Sequence, residues 1–346
     1  MSAAPERVFA ALHRPWRWRE GRPELGGRLR AELDAFGLEL PSLDASRRSH
    51  DGSTKLLLRT GADRIEAVHM PRAVGVGRVT LCVSSQVGCA LGCRFCATGA
   101  LGLGRQLSAG EIVAQILVAI ATLGPRHPGE LTLVFMGMGE PLHNLSAVAR
   151  AISVLSEPAG LGLSLRRITV STAGLVPQLA ELGALERRPL LAVSLNATTD
   201  ELRSELMPIN RRYPLAELRA ALERYPCRPR ERITVEYVLL AGVNDRPEDA
   251  ARLADFCCGF PHHINLIPFN PHEHAEFQPP EEHALEAFAR AVLARRPTLL
   301  SVRRSRGRDV GAACGQLAER APDSAAARPD PSVVLVPAFG GFPLRH

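Results

Sequence analysis

Three cysteines, Cys89, Cys93 and Cys96, stand close together in the run QVGCALGCRFCATG. Thiolates favour soft metals, and a C-x3-C-x2-C spacing lets one loop present three of them to a single inorganic cluster. Three protein ligands on a four-iron cluster leave one iron open. An open iron can chelate the amino and carboxylate groups of S-adenosylmethionine (SAM), and an electron delivered there can cleave its sulfur–carbon bond. Structural zinc is the alternative, with the upstream Cys82 as fourth ligand. Zinc ligands usually come as paired two-residue spacings, and Cys82 falls in a stretch that reads as strand, so the cluster fits better.

Other motifs suit a nucleoside cofactor. The loop Met136-Gly137-Met138-Gly139-Glu140-Pro141 permits close approach of backbone to a ligand, with Glu140 able to accept from an ammonium group. Ser171, the triplet Ser194-Leu195-Asn196 and Asn270 in IPFNP offer polar groups for a ribose, a carboxylate or adenine. Singly each serves equally well as a strand-end cap. From pattern alone Cys314 reads as a buried structural cysteine, as do Cys227, Cys257 and Cys258, and Glu66 reads as a surface strand residue. The basic run Arg303-Arg304-Ser305-Arg306-Gly307-Arg308 is either a phosphate grip or a solvated face.

Positioning these groups falls to a regular alternation. Apolar runs at 79–84, 131–136, 167–172, 190–195, 232–240, 263–268 and 298–303 read as strands, and 108–123, 145–156, 175–186, 214–225, 247–258 and 281–295 as helices. The first helix opens on Ser108 and Glu111, an S-x-x-E capping box. Short apolar strands alternating with helices imply parallel βαβ units, and six repeats suit an α/β fold, a partial (β/α)6 TIM-like barrel. In such barrels the active site lies at the C-terminal ends of the strands, where these polar and glycine-rich motifs fall. The expected organisation is a short helical region at 1–50, a hairpin and linker at 51–77, the barrel core at 78–317, and a flexible Ala/Pro-rich tail at 318–346.

Composition narrows the classes. The chain of 346 residues is 46% apolar, enough for one large core, and carries a formal charge of +6 that is compatible with nucleic acid without requiring it. Lys55 is its only lysine. No run of eighteen uninterrupted apolar residues suggests a membrane span, and the first twenty residues lack a secretory layout, so a cytoplasmic setting without membrane association is expected. Eight cysteines in a reducing compartment point to metal or chemistry rather than a disulfide framework.

The stretch TLCVSSQVGCALGCRFCATG, with MGMGEPLHN, ITVSTAGLVP, PINRRYP, TVEYVLLAGVND, NLIPFNP and AACGQLA, resembles the RlmN/Cfr family of radical-SAM RNA adenine methyltransferases, over about residues 52–318. The resemblance implies a radical-SAM barrel with one 4Fe-4S cluster and two SAM molecules per turnover. It makes Cys314 the acceptor of a methyl group from one SAM, which a radical made from the second SAM then activates for addition to adenine. An aryl carbon–hydrogen bond offers no nucleophile for ordinary methyl transfer, which is why a radical and a covalent handle are needed. Cys82 is then expected to help release the RNA adduct, leaving a disulfide with Cys314, and Glu66 to accept the proton. Gly139, Glu140, Ser171, Ser194, Leu195, Asn196 and Asn270 match the family's SAM contacts. Ribosomal and/or transfer RNA as substrate, an electron donor such as flavodoxin, and a monomeric state complete the expectation.

The chain departs from the family pattern in four places, one of them the added Pro/Ala-rich tail. Asn196 stands where many members have His, the segment from Pro71 to Cys82 is about three residues longer, and the region before Gly52 is short. The MGMGEPL loop resembles the RlmN type, favouring carbon 2 of adenine; a Cfr-like carbon-8 enzyme is the nearest rival. A zinc-held RNA-binding module without catalysis and a radical-SAM enzyme of a small molecule are the readings from other classes.

Overall fold

The computed structural model describes residues 5–15, 40–71, 78–123 and 131–317, together with positions 27, 31 and 333–334. Its centre is a run of seven parallel strands: β4 (Val79–Cys82), β7 (Leu131–Phe135), β8 (Ile168–Thr172), β9 (Leu190–Ser194), β10 (Ile233–Leu239), β11 (His262–Pro268) and β12 (Leu300–Val302). They pair in that order, each parallel to the next. Their near-continuous apolar sequences fit strands covered on both faces. The barrel is partial: beyond β4 the sheet continues antiparallel through β3 (Asp63–Pro71), β2 (Thr54–Thr60) and β1 (Ser42–Arg48).

Helices α3 (Ala109–Leu123), α4 (Leu145–Leu155), α5 (Val176–Gly183), α7 (Leu215–Glu223), α8 (Pro247–Phe256) and α9 (Glu282–Arg295) follow successive strands. Their apolar faces, including Ile112, Ile116, Val148, Ile152, Leu179, Leu218, Leu253 and Phe288, join strand residues such as Leu81, Leu133, Val170 and Val235 in one buried core. The capping box forms as the sequence predicts, with Glu111 N–H donating to Ser108 Oγ at 3.2 Å and Ser108 N–H to Glu111 Oε2 at 2.8 Å.

The β2–β3 hairpin turns at Gly61, whose φ of 62° suits the first central position of a two-residue turn. Three elements escape the sequence pattern. β1, SLDASRR, lacks an apolar alternation and forms by pairing with the edge of β2, whereas its residues read as part of a helical region. Helix α1 (Pro5–His13) is the described part of that region. A small hairpin of β5 (Gln86–Gly88) and β6 (Leu103–Gln106) frames the cysteine loop, with α2 (Ala97–Ala100) inside it. A seven-residue helix, α6 (Asp200–Leu206), lies between β9 and α7. The tail at 318–346, apart from 333–334, and positions 72–77, within the segment expected to be longer, lie outside the described residues.

Candidate active site

The cysteine loop is held at its base, where Cys89 N–H donates to Gly102 O at 2.8 Å, and at its tip, where Arg94 N–H donates to Leu206 O at 3.0 Å. Cys89, Cys93 and Cys96 line one cavity, with Leu91, Phe95, Met207 and Phe269 forming apolar walls. Burial pushes the Cys89 thiol up to about 12 and raises Cys93 and Cys96 as well. The bare protein therefore holds neutral thiols, and metal must displace their protons. Among the described residues no three Cys, His, Asp or Glu converge as the ligands of a single ion would. Zinc with Zn–S bonds of ~2.3 Å would draw its thiolates to within roughly 4 Å of one another. Three thiols lining one apolar-walled cavity are the ligand set that a four-iron cluster with one open iron takes. Cys82, the fourth ligand of the zinc alternative, is absent from the cavity wall.

The strand-end motifs complete the cavity. Gly137 and Gly139 pack against the chain leaving β4: a Cβ on Gly137 would meet the Val83 carbonyl at 2.7 Å, and one on Gly139 (φ 103°) the Gln86 side chain at 2.6 Å. Glu140 is almost fully buried and its carboxylate accepts from Leu142 N–H at 2.9 Å and Ala173 N–H at 2.8 Å. Burial raises its pKa against those bonds. Glu140 thus clamps the ends of β7 and β8 together. Ser171 Oγ donates to Glu236 Oε2 at 3.0 Å, and Ser194 also lines the cavity. Leu195 is fully buried and outside the lining; its N–H donates to Glu236 O at 2.9 Å. Asn196 lines the cavity, but its Oδ1 accepts from Val238 N–H at 2.8 Å and its backbone is left-handed (φ 57°). Asn and His both tolerate that conformation better than most residues, which gives a physical reason for their exchange here.

Cys314 enters the same cavity from the loop beyond β12. Ala97 N–H donates to Gly315 O at 2.7 Å, docking this loop on the cysteine loop, and the Asn270 amide donates to Cys314 O at 3.0 Å and to Ser305 Oγ at 3.0 Å. Cys82, at the end of β4, is buried behind the lining. Burial, with the nearby Cys314 sulfur adding to it, pushes its thiol up to about 12. All eight cysteines are free, so the Cys82–Cys314 disulfide expected from the resemblance is absent. A neutral thiol does not attack sulfur until it loses its proton, which is consistent with two separate sulfurs in the resting protein.

Arg303 is half-buried and turned inward, 3.5 Å from Glu236 Oε1 and beside both of these cysteines, with the Cys314 sulfur the strongest influence favouring its charge. Arg304 pairs with Glu282, and Arg306 bonds the carbonyls of Pro71 and Asp51. Three arginines of the basic run are therefore engaged within the fold, leaving Arg308 exposed beside an open groove formed by residues such as His50, Pro271 and Gln316. Glu66, read from pattern as a surface residue, is fully buried on β3 and ion-paired at 2.9 Å with Lys55 on β2.

A family model for the Radical SAM superfamily matches residues 83–254. An enzyme described as dual-specificity RNA methyltransferase RlmN, from Syntrophobacter fumaroxidans, is 52% identical over 299 residues, 85% of either chain. Its counterpart from Sorangium cellulosum is 45% identical over 92% of each. The chain belongs to the RlmN family. A crystal structure of a radical SAM methyltransferase from Sphaerobacter thermophilus superposes with a TM-score of 0.83 at 43% identity, covering 90% of this chain and 92% of that one. RlmN-family membership makes the chain a radical-SAM RNA methyltransferase that uses iron–sulfur and SAM chemistry.

The sequence motifs passed over Glu236, Lys55 and Arg203. Glu236 had a signal, a lone acid within the apolar strand ITVEYVL. Arg203 had none: inside DELRSEL it reads as a surface charge, yet its side chain is fully buried.

Proposed function

We propose that the chain methylates carbon 2 of an adenine in ribosomal and/or transfer RNA, through a methylated Cys314. The observation that carries this reading is that Cys314 shares one cavity with Cys89, Cys93 and Cys96, its loop bonded to theirs through Ala97 and Gly315. When bound, one 4Fe-4S cluster and two SAM molecules per turnover supply the electron, the methyl group and the hydrogen-abstracting radical.

The chain's own residues do the rest. Cys89, Cys93 and Cys96 would hold the cluster. Gly139, Glu140, Ser171, Ser194, Leu195, Asn196 and Asn270 would form the SAM-binding rim, several of them by fixing backbone rather than by direct contact. The Cys314 thiol accepts the methyl and presents it to the base. Glu66, charged and oriented by Lys55, takes the proton lost from the adenine carbon. Cys82, beside Cys314, assists release of the RNA. The apolar walls exclude water from the radical. A target adenine extruded from its stack would reach Cys314, as base-modifying enzymes require. A flavodoxin-type electron donor, a monomeric state and a cytoplasmic setting accompany this reading; no helix among the described residues is long and apolar enough to cross a membrane. The domain limits 1–50, 51–77, 78–317 and 318–346 are retained as its working division.

Nucleosides from ribosomal and transfer RNA of a deletion strain, compared with the parent by mass spectrometry, test the proposal. Loss of 2-methyladenosine is expected. Loss of 8-methyladenosine instead would favour the Cfr-like rival, and no change in any methyladenosine would overturn RNA methylation altogether.

A further inference from the structure

The guanidinium of Arg203 is fully buried behind the strand ends that wall the cavity. Nε donates to Leu195 O at 3.0 Å, Nη1 to Asn210 Oδ1 at 3.0 Å, and Nη2 to Ala173 O at 2.7 Å and Ser194 O at 3.2 Å. Every acceptor is neutral. Asp200, three residues earlier, is exposed, and its Oδ1 accepts instead from Asn210 Nδ2 at 2.9 Å and Leu215 N–H at 2.8 Å. Burying a cation bonded only to neutral acceptors is costly, so further negative charge nearby would stabilise it.

The cavity, where a cluster would carry negative charge, adjoins the guanidinium. Ala173 and Ser194, whose carbonyls Arg203 holds, line the cavity together with Cys93. Burial brings Arg203 down to about 10, and among the groups that oppose it a Cys93 thiolate does most, followed by Asp200. Arg94, next to Cys93, is bonded through its N–H to Leu206 O, and Phe95 packs with Leu206 and Met207. Helix α6 is therefore anchored to the cysteine loop at Leu206.

We propose that Arg203 is the built-in counter-charge of the iron–sulfur cluster and raises its reduction potential. This rests on the reading of Cys89, Cys93 and Cys96 as cluster ligands. Three thiolates on a doubly positive four-iron core carry one net negative charge. One electron from a reductant makes it two, with no bond formed or broken. A fixed cation nearby favours the second state more than the first, and a low-dielectric surround strengthens the effect.

The test compares reconstituted wild type, Arg203→Gln and Arg203→Lys, titrated anaerobically with dithionite and mediators and followed by electron paramagnetic resonance. Iron, sulfide and circular dichroism are measured beforehand. Gln removes the charge and keeps donors for the carbonyls; its midpoint is expected to fall by the equivalent of about tenfold in the reduction equilibrium, about 59 mV for one electron. Lys keeps the charge and is expected within about threefold of wild type, taking ~59 mV per tenfold. A Gln variant with full cluster and an unmoved midpoint overturns the proposal. If Gln does not fold, Lys decides: a midpoint near wild type upholds the charge, and a tenfold fall overturns it by showing that bonded geometry sets the potential. A wild type that takes up no cluster refutes the ligand reading instead.

Discussion

The side-chain amide of Asn270, just past β11, donates to the carbonyl oxygen of Cys314 at 3.0 Å. The residue at one strand end thus holds the loop that carries Cys314 from another. Asn270→Ala removes this bond and the one to Ser305, and each is worth on the order of 1 kcal/mol. Methylation of Cys314, read by peptide mass spectrometry, is expected to slow about tenfold, as ~1.4 kcal/mol would give, with the cluster spectrum intact. An undiminished rate would show that the loop needs no such tether.

Cys314 lines the cavity without belonging to the cysteine loop. Cys314→Ala is expected to abolish turnover while leaving iron and sulfide content and the visible spectrum unchanged. Bleaching of that spectrum would make Cys314 a ligand and not an acceptor.

Lys55 and Glu66 form a buried pair at 2.9 Å, with 5% and 0% of their side chains exposed. Lys55→Met leaves the carboxylate without this partner, a loss of roughly 3–5 kcal/mol by precedent for broken buried pairs. Urea denaturation measures it. The double variant Lys55→Met/Glu66→Gln should recover much of that loss, because the uncompensated charge is gone. A Lys55→Met protein as stable as wild type would remove the pair from any structural role.

Acid should act first where the hairpin meets α3. Burial by itself pushes the Glu111 carboxyl up, but bonds from Arg105, Thr60 and Ser108 outweigh it and bring the group to about 2. A carboxyl depressed on folding adds stability that is present above its ordinary pKa of about 4.5 and drains away as pH falls toward 2. Glu111→Gln is expected to lower stability at neutral pH and to flatten its decline between about pH 4.5 and 2. Parallel pH profiles for the two proteins would locate the acid sensitivity elsewhere.

Much of the fold is legible in the chain because its strands and helices carry their own signals. Runs such as LTLVF and ITVEYVL fill both faces of a covered parallel sheet, and Ser108 with Glu111 marks a helix start. β1 and the β5–β6 hairpin carry no such pattern, since their pairing depends on edges supplied by the rest of the sheet. In the site, the cysteine triplet and the glycine loop are readable because metal spacing and close backbone approach restrict residue type locally.

By itself, then, the sequence determined that Cys89, Cys93 and Cys96 share a loop, and that polar motifs recur at the ends of parallel strands. Only the tertiary structure decided which charges face that loop. Arg203 comes to it from a different crossover, Cys314 from beyond the last strand, and Lys55 meets Glu66 across a hairpin. Burial and pairing of charge depend on what the fold brings close from far along the chain, and no local pattern records that. For the same reason the inward turn of Arg303, in a run that reads as a phosphate grip, is visible only in three dimensions.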